Sequence, residues 1–370
     1  MEIIKNTKEL SSKSEQNALS ALLHFNEVKH IPLDKICFFD IETTGLSADI
    51  SSVYLVGCCQ INKNRLEITQ WFADDYTSES TILSCLTEYL KDFQTIVHYN
   101  GTGFDLPYIE KKCTFYGLES PFSHLQSLDF YKHLRSLKSI FPFENLKLTT
   151  VESFLRIPRS DRFTGRDCIQ LYSDFMQMKY LQENEKRDSD RYCLLLHNFE
   201  DIIGTFLCSQ LLLYLMPFYE KHLPEQTKIY DNSIQIRIQL PGLTPASFSS
   251  YVGDLPFTFR NHTFELELPL LKGELYYFYK DYKNYYYLPF EDKALHKSVA
   301  AFADPQYRQK ATSKNCYIRH SGSFIPAPAF KKTDTECLSL PLFFNRERTH
   351  AYLEWHGTLP SGYMNLIHKK

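Results

Sequence analysis

Two carboxylates two residues apart, Asp40 and Glu42, lie near the end of an apolar run, Ile36-Cys-Phe-Phe-Asp-Ile-Glu42. Alternate residues of a strand point to one face, so both acids face the same way. Their repulsion is costly unless a cation sits between them, which gives the pair a metal-binding chemistry. A third acid, Asp105, closes the segment His98-Tyr-Asn-Gly-Thr-Gly-Phe-Asp105. His197 and Asp201 are four apart in His197-Asn-Phe-Glu-Asp201 and share a helix face, with Glu200 turned elsewhere. Taken singly, each has a plainer reading: a solvated strand end for Asp40 and Glu42, a helix cap for Asp105, and a surface pair for His197 and Asp201.

The elements that must position these groups follow from periodicity. Residues 36–42, 53–61, 65–72 and 94–99 read as strands, the first of them apolar enough to be covered on both faces. Helices are predicted near 77–91, 104–116, 149–155, 167–182 and 191–215. Three strands followed by a mix of strands and helices give an α/β domain with a mixed sheet, and ligands collect at the carboxyl ends of strands in such sheets. Residues 1–33 read as a helical lead-in, with a helix at 18–25 and a linker ending at Pro32. Composition shifts after Pro217, and 225–370 reads as a β-rich domain. There, strands are expected at 229–240, at 257–270 turning at Asn261-His262, and at 274–288 turning near Asp281, with a helix at 291–302.

The order of the acids is more specific than any one of them. Asp-x-Glu on a strand, Asn-x-x-x-Phe-Asp at a helix start and His-x-x-x-Asp on a late helix resemble the three motifs of the DEDD 3′–5′ exonuclease superfamily. The wording is close to the proofreading domains of family B DNA polymerases. It runs Phe39-Asp40-Ile41-Glu42-Thr43, then Tyr99-Asn100-Gly101-Thr102-Gly103-Phe104-Asp105-Leu106-Pro107-Tyr108, then His197-Asn198-Phe199-Glu200-Asp201. Over roughly residues 36–215 the chain looks like the YprB-type ribonuclease-H-like proteins, stand-alone relatives of those domains.

The resemblance implies a ribonuclease-H-like mixed sheet with flanking helices over 34–220; the smaller β-rich C-terminal domain that follows, of unknown role, rests on the strand pattern alone. It further implies a metal-dependent 3′–5′ exonuclease acting on single-stranded DNA or RNA ends with two Mg²⁺ or Mn²⁺ ions. Four carboxylates with no thiolate beside them suit such hard cations over Zn²⁺. Asp40 would bridge both ions, Glu42 and Asp201 would complete one site, and Asp105 would serve the other. Thr43, Asn100 and Phe104 would line the substrate cleft, with Phe104 packing rather than reacting. One position departs from the polymerase pattern, which has tyrosine four residues before the last aspartate where this chain has His197. The other branch of the superfamily uses histidine, at a spacing one residue longer. His197 would either orient the attacking water or accept its proton. Asp129 is either a fifth acid of the site or the cap of a helix starting at Phe130, and the cap is the expected role.

The formal net charge of the 370 residues is −3, so a nucleic acid must be held by a local patch rather than by the whole molecule's field. Between Lys132 and Arg166, eight basic residues face only Glu144, Glu152 and Asp161. Within that stretch Arg159, Arg162 and Arg166 are the expected phosphate contacts, the alternative being a solvated loop. The tyrosines of 276–287 either stack bases or pack on a core, with packing expected. Ten scattered cysteines without a C-x-x-C pair, and no export signal, point to reduced thiols in a cytoplasm. The apolar stretch 202–219 is broken by Thr205, Ser209, Gln210 and Pro217, which predicts a buried helix and no membrane span. The competing function class is a non-catalytic nucleic-acid-binding protein that kept a nuclease fold; the presence of all four carboxylates argues against it.

Overall fold

The structure is a computed structural model that describes residues 1–220, 225–327 and 340–364. The chain divides into two units. One is Met1–Met216 with Leu240–Ser247 and Arg260–His262, and the other is Pro217–Gln239 with Phe248–Phe259 and Thr263–Lys370.

In the first unit, β1 (Glu2–Glu9), β2 (Ile36–Thr43), β3 (Val53–Asn62), β4 (Arg65–Phe72), β5 (Thr95–His98) and β6 (Gln126–Asp129) form one sheet of order β1-β4-β3-β2-β5-β6. β1 to β4 pair antiparallel, whereas β2, β5 and β6 pair parallel, so the sheet is mixed as expected. Around it run α1 (Lys13–His24), α2 (Glu79–Leu90), α3 (Asp105–Tyr116), α4 (Phe130–Ser136), α5 (Leu148–Leu155), α6 (Gly165–Leu181), α7 (Asn184–Leu207) and α8 (Leu211–Tyr219). Every residue of β2 is buried except Asp40, which is partly exposed. This is the burial of a central strand covered on both faces.

Glycine brings α7 onto the sheet. A Cβ at Gly57 of β3 would stand 2.1 Å from Ile202 and 2.3 Å from Asn198, both on α7. Only a residue without a side chain permits that approach. The segment 184–219 is long and apolar enough to cross a membrane, yet 89% of its apolar window is buried within the protein. That matches the expected buried helix.

Residues 1–33 differ from the helical lead-in read in the sequence. Residues 2–9 form an edge strand of the main sheet, paired with β4 from Glu2↔Phe72 to Glu9↔Arg65. An edge strand in which most residues keep contact with solvent carries no apolar run, so its sequence, EIIKNTKE, hides it. The helix after it starts earlier than expected, at Lys13, behind a capping box of Ser12 and Glu15.

The second unit is β-rich, as expected. A five-stranded antiparallel sheet has the order β7-β8-β11-β10-β9, from β7 (Glu225–Ile229), β8 (Ser233–Gln239), β9 (Phe248–Val252), β10 (Leu255–Arg260) and β11 (Thr263–Pro269). A small closed barrel follows β12 (Leu271–Phe278), β16 (Tyr317–Pro326), β18 (Ala351–Glu354) and β17 (Leu342–Phe344). A three-stranded sheet joins β14 (Lys293–His296), β13 (Tyr285–Leu288) and β15 (Gln309–Lys310).

Three local expectations change here. The strand expected at 229–240 is β8, which begins only at Ser233, because 230–232 turn back from β7. Residues 274–288 are not a hairpin, because β12 pairs with β16 while β13 pairs with β14. The expected helix at 291–302 shrinks to α9 (Lys297–Ala300), since 293–296 are drawn into pairing with β13. β7–β8 and β13–β14 close as neighbouring strands, whereas β12 finds β16 far along the chain; in each case strand pairing overrides the propensity read from sequence. The tyrosines pack, as expected. Tyr279 stacks on Tyr285 at 4.3 Å, Tyr282 and Tyr287 join them against Ala294, Ala311 and Cys316, and the Tyr287 and Tyr317 hydroxyls donate to Asp292.

None of the nine cysteines among the described residues forms a disulfide.

Candidate functional site

The parallel pairing of β2 with β5 ends at Phe38↔Val97, so Asp40 and Glu42 lie beyond the last paired residues, where the two strands part. The register with β3 shifts between Glu42 and Thr43, which bends the strand just after the acids. Asp40 pairs across the ladder with Gly57, the glycine that admits α7. Through that gap the Asn198 amide donates to Asp40 Oδ2 at 2.8 Å, while its oxygen accepts from Gln70 at 2.9 Å.

β5 ends at His98, and the chain turns through Asn100, at φ 65°, into α3. Asp129 shapes this turn: its carboxylate accepts from the N–H groups of Asn100 and Thr102 and caps α4 through Lys132. The expected capping role of Asp129 is present, together with this second task. Asp105 is not a cap. It is the first residue of α3, behind Phe104, and is buried, with the backbone of Ile41 in β2 near enough to bear on its ionisation.

α7 supplies the remaining groups. His197 Nε2 lies 3.5 Å from Glu42 Oε1 and 3.6 Å from Asp201 Oδ2. Ligating atoms of Glu42, His197 and Asp201 all fall within 4.8 Å of one another. Asp201 bears on the ionisation of Asp40, Glu42 and Asp105. Burial, then Asp201, Glu42 and Asp105, hold the Asp40 carboxyl well above its ordinary range, with Asn198 opposing. Glu42 is pushed up to about 8 by burial; His197 and Arg159 oppose this, and Asp201 and Asp105 add to it. Asp105 is pushed up to about 7 by burial, opposed by the nearby backbone of Asp105 itself and of Ile41 and helped by Asp129 and Asp201. For His197, burial favours the neutral ring, but Glu42, Asp201 and Asp161 outweigh it and raise the imidazole above its ordinary value. Buried acids that resist ionising together are the electrostatic condition that a divalent cation relieves. The donor set, carboxylate oxygens with one imidazole, fits such an ion.

Among the other expected site residues, Thr43 is buried and donates to Gly45 O at 2.9 Å, holding the turn after β2. Phe104 packs on Tyr108 at 5.4 Å and against the core, as expected. The arginines divide. Arg162 and Arg166 are exposed, but Arg159 does not project as a phosphate contact. It folds inward, with Nη1 2.5 Å from Asp201 Oδ1 and 3.4 Å from Glu152 Oε2, and Nη2 3.0 Å from Asp161 Oδ2. Three carboxylates outcompete water for one guanidinium. Asp161, counted in the sequence only as a charge opposing the arginines, is buried with Oδ2 2.6 Å from His197 Nδ1. Glu152 reaches Arg159 past Gly204 of α7, where a Cβ would stand 2.1 Å from its oxygen.

Asp161, Asn198 and Glu152 were not singled out by the sequence. Asp161 and His197 are 36 residues apart, and no local pattern marks a contact made by a folded loop.

A mixed sheet with flanking helices, and carboxylates gathered where the central strands part, define the first domain as ribonuclease-H-like. Residues 37–212 match the family model RNase_H_2, described as the RNase_H superfamily. No curated protein matches the sequence. Among solved structures, a family B DNA polymerase from the hyperthermophilic archaeon Pyrobaculum calidifontis is similar at 15% identity and a TM-score of 0.40. The similarity covers 68% of this chain and 35% of that one, so the chain spans about a third of the polymerase's length.

Proposed function

We propose that the first domain is a metal-dependent 3′–5′ exonuclease that hydrolyses phosphodiester bonds at the ends of single-stranded DNA or RNA. The observation that supports this reading is the meeting of Asp40 and Glu42 from β2, Asp105 from α3 and Asp201 from α7 at one end of the sheet. These four would hold two Mg²⁺ or Mn²⁺ ions, which when bound lower the pKa of water and stabilise a leaving oxygen. Asn198 keeps Asp40 in place. The Nε2 edge of His197 faces Glu42 and Asp201, where it would orient the attacking water or take its proton. DNA and RNA ends carry the same phosphodiester, and both are substrates to be tested.

The test is a Mn²⁺-dependent assay on 5′-labelled single strands, comparing the wild type with Asp40→Ala. The wild type should shorten the strand from its 3′ end, and the variant should lose activity by a factor of about 10³ or more. Equal activity in the two proteins would overturn the reading. A wild type that binds single strands but neither cleaves them nor takes up Mn²⁺ in calorimetry would be a binding protein instead.

A further inference from the structure

We propose that Asp161 is a positioning residue: it holds the Nδ1 edge of His197 and so presents Nε2 to Glu42 and Asp201. In its kinetic consequence the proposal rests on the nuclease reading above; in its structural content it does not.

The contacts of Asp161 leave it one role. Oδ1 accepts from the Phe163 N–H at 3.1 Å, and Oδ2 accepts from Arg159 Nη2 at 3.0 Å. A carboxylate facing a guanidinium and a backbone N–H is an acceptor, with no proton to offer. Its 2.6 Å contact with His197 therefore places the proton on Nδ1. Arg159 Nη2 also lies 3.4 Å from Nδ1, and a guanidinium can only donate. If that contact decided the tautomer, a bare nitrogen lone pair would face a carboxylate oxygen at 2.6 Å, which is repulsive. The shorter contact decides which nitrogen keeps the proton when the ring is neutral, and Nε2, at 3.5 Å from Glu42 Oε1 and 3.6 Å from Asp201 Oδ2, is the nitrogen that gives it up.

The loop that carries Asp161 is tied to the same helix as its target. Glu200 accepts from the N–H groups of Ser160 and Asp161 at 2.8–3.1 Å. Within five residues, α7 thus carries the imidazole, the acid that clamps the loop, and Asp201, which Arg159 of that loop contacts. A second carboxylate that fixes the tautomer and orientation of a working histidine is a recurring device, and losing it typically costs about 10–100-fold.

The experiment uses the full chain labelled with ¹⁵N-histidine, as wild type, Asp161→Asn and Asp161→Glu, with His197→Gln to assign the resonance. Long-range ¹⁵N–¹H correlations read the tautomer of His197 at a pH where the ring is neutral. Single-strand cleavage with Mn²⁺ gives kcat and KM, and calorimetry gives Mn²⁺ affinity. We expect the Nδ1–H tautomer in the wild type and a mixed or Nε2–H population in Asp161→Asn. We also expect kcat to fall about 10–100-fold with KM and Mn²⁺ affinity unchanged, and Asp161→Glu to recover part of the loss. An Nε2–H wild type, a tautomer indifferent to Asp161→Asn, or parallel losses of kcat, Mn²⁺ affinity and melting temperature would each overturn the proposal. If Asp161→Asn does not fold, Glu200→Ala releases the loop without touching the imidazole, and the tautomer should mix there too. A wild type with no nuclease activity whose tautomer still depends on Asp161 supports the positioning and removes only the exonuclease reading.

Discussion

Glu42 shows what the site asks of a single residue. Its carboxyl moves from an ordinary 4.5 to about 8, burial being the largest cause, and Asp105 moves from 3.8 to about 7. An acid that binds its proton more tightly when folded favours the fold at low pH. That contribution is lost as pH climbs from the ordinary value to the raised one. His197, also raised, acts in the same direction above its ordinary 6.5. His98 is buried and lowered to about 4, and works in the opposite sense, but only below 6.5. The clean window therefore runs from about pH 6.5 to 8. In a chelating buffer the melting temperature should fall across it, and added Mn²⁺ should flatten the fall. Asp40→Asn, which removes one of the repelling charges, should raise the melting temperature in the same buffer while abolishing cleavage, the usual exchange of stability for function. Scanning fluorimetry at several pH values checks both, and a melting temperature that rises through the window would contradict the repulsion described.

At the scale of elements, the decisive contact is α7 against β3. Gly57 lets the helix approach until Asn198 reaches Asp40, the residue opposite Gly57 in the ladder. Gly57→Ala should lift the helix, cost about 1–3 kcal/mol and detach Asn198 from Asp40, so stability and Mn²⁺-dependent cleavage fall together. Adding Ile202→Ala makes room for the new methyl on one of the two sides where it clashes. It should return part of the stability but not the activity, because the clash with Asn198 remains. Denaturant titration and the cleavage assay separate the two effects. The same helix receives Glu152 through Gly204 and clamps the 156–163 loop through Glu200, so most of the polar network depends on where α7 lies.

At the scale of the molecule, 41 basic residues against 44 acidic ones offer no general attraction for a polyanion. A single strand must meet a local surface, and Arg159 is already engaged by Asp201, Asp161 and Glu152. Under the proposed function the phosphate contacts fall to Arg162 of this loop and Arg166 at the start of α6, which are exposed. Replacing both with glutamine should flatten the salt dependence of single-strand binding, by about 0.7 in log–log slope for each phosphate no longer neutralised. Anisotropy titrations over a salt series measure it, and an unchanged slope would take these two arginines out of the substrate path.

Several features were legible from sequence because local chemistry alone dictates them. The apolar run of β2 marks a covered strand, period two puts Asp40 and Glu42 on one face, and a spacing of four does the same for His197 and Asp201. The order of the motifs carried the ribonuclease-H-like fold of the first domain and the expectation of its acids. Tertiary structure alone decided how those acids are held. The edge strand at residues 2–9 was invisible because most of its side chains meet water, and the β12 pairing was invisible because its partner, β16, lies far along the chain. Arg159 read as a solvent-facing phosphate contact until the loop's fold turned it onto three carboxylates. Asp161 had no signature at all, since its meaning lies in a 2.6 Å contact across 36 residues. Spacing along a chain reports which side chains share a face; which faces meet depends on the packing of α7, and that is settled by the whole core.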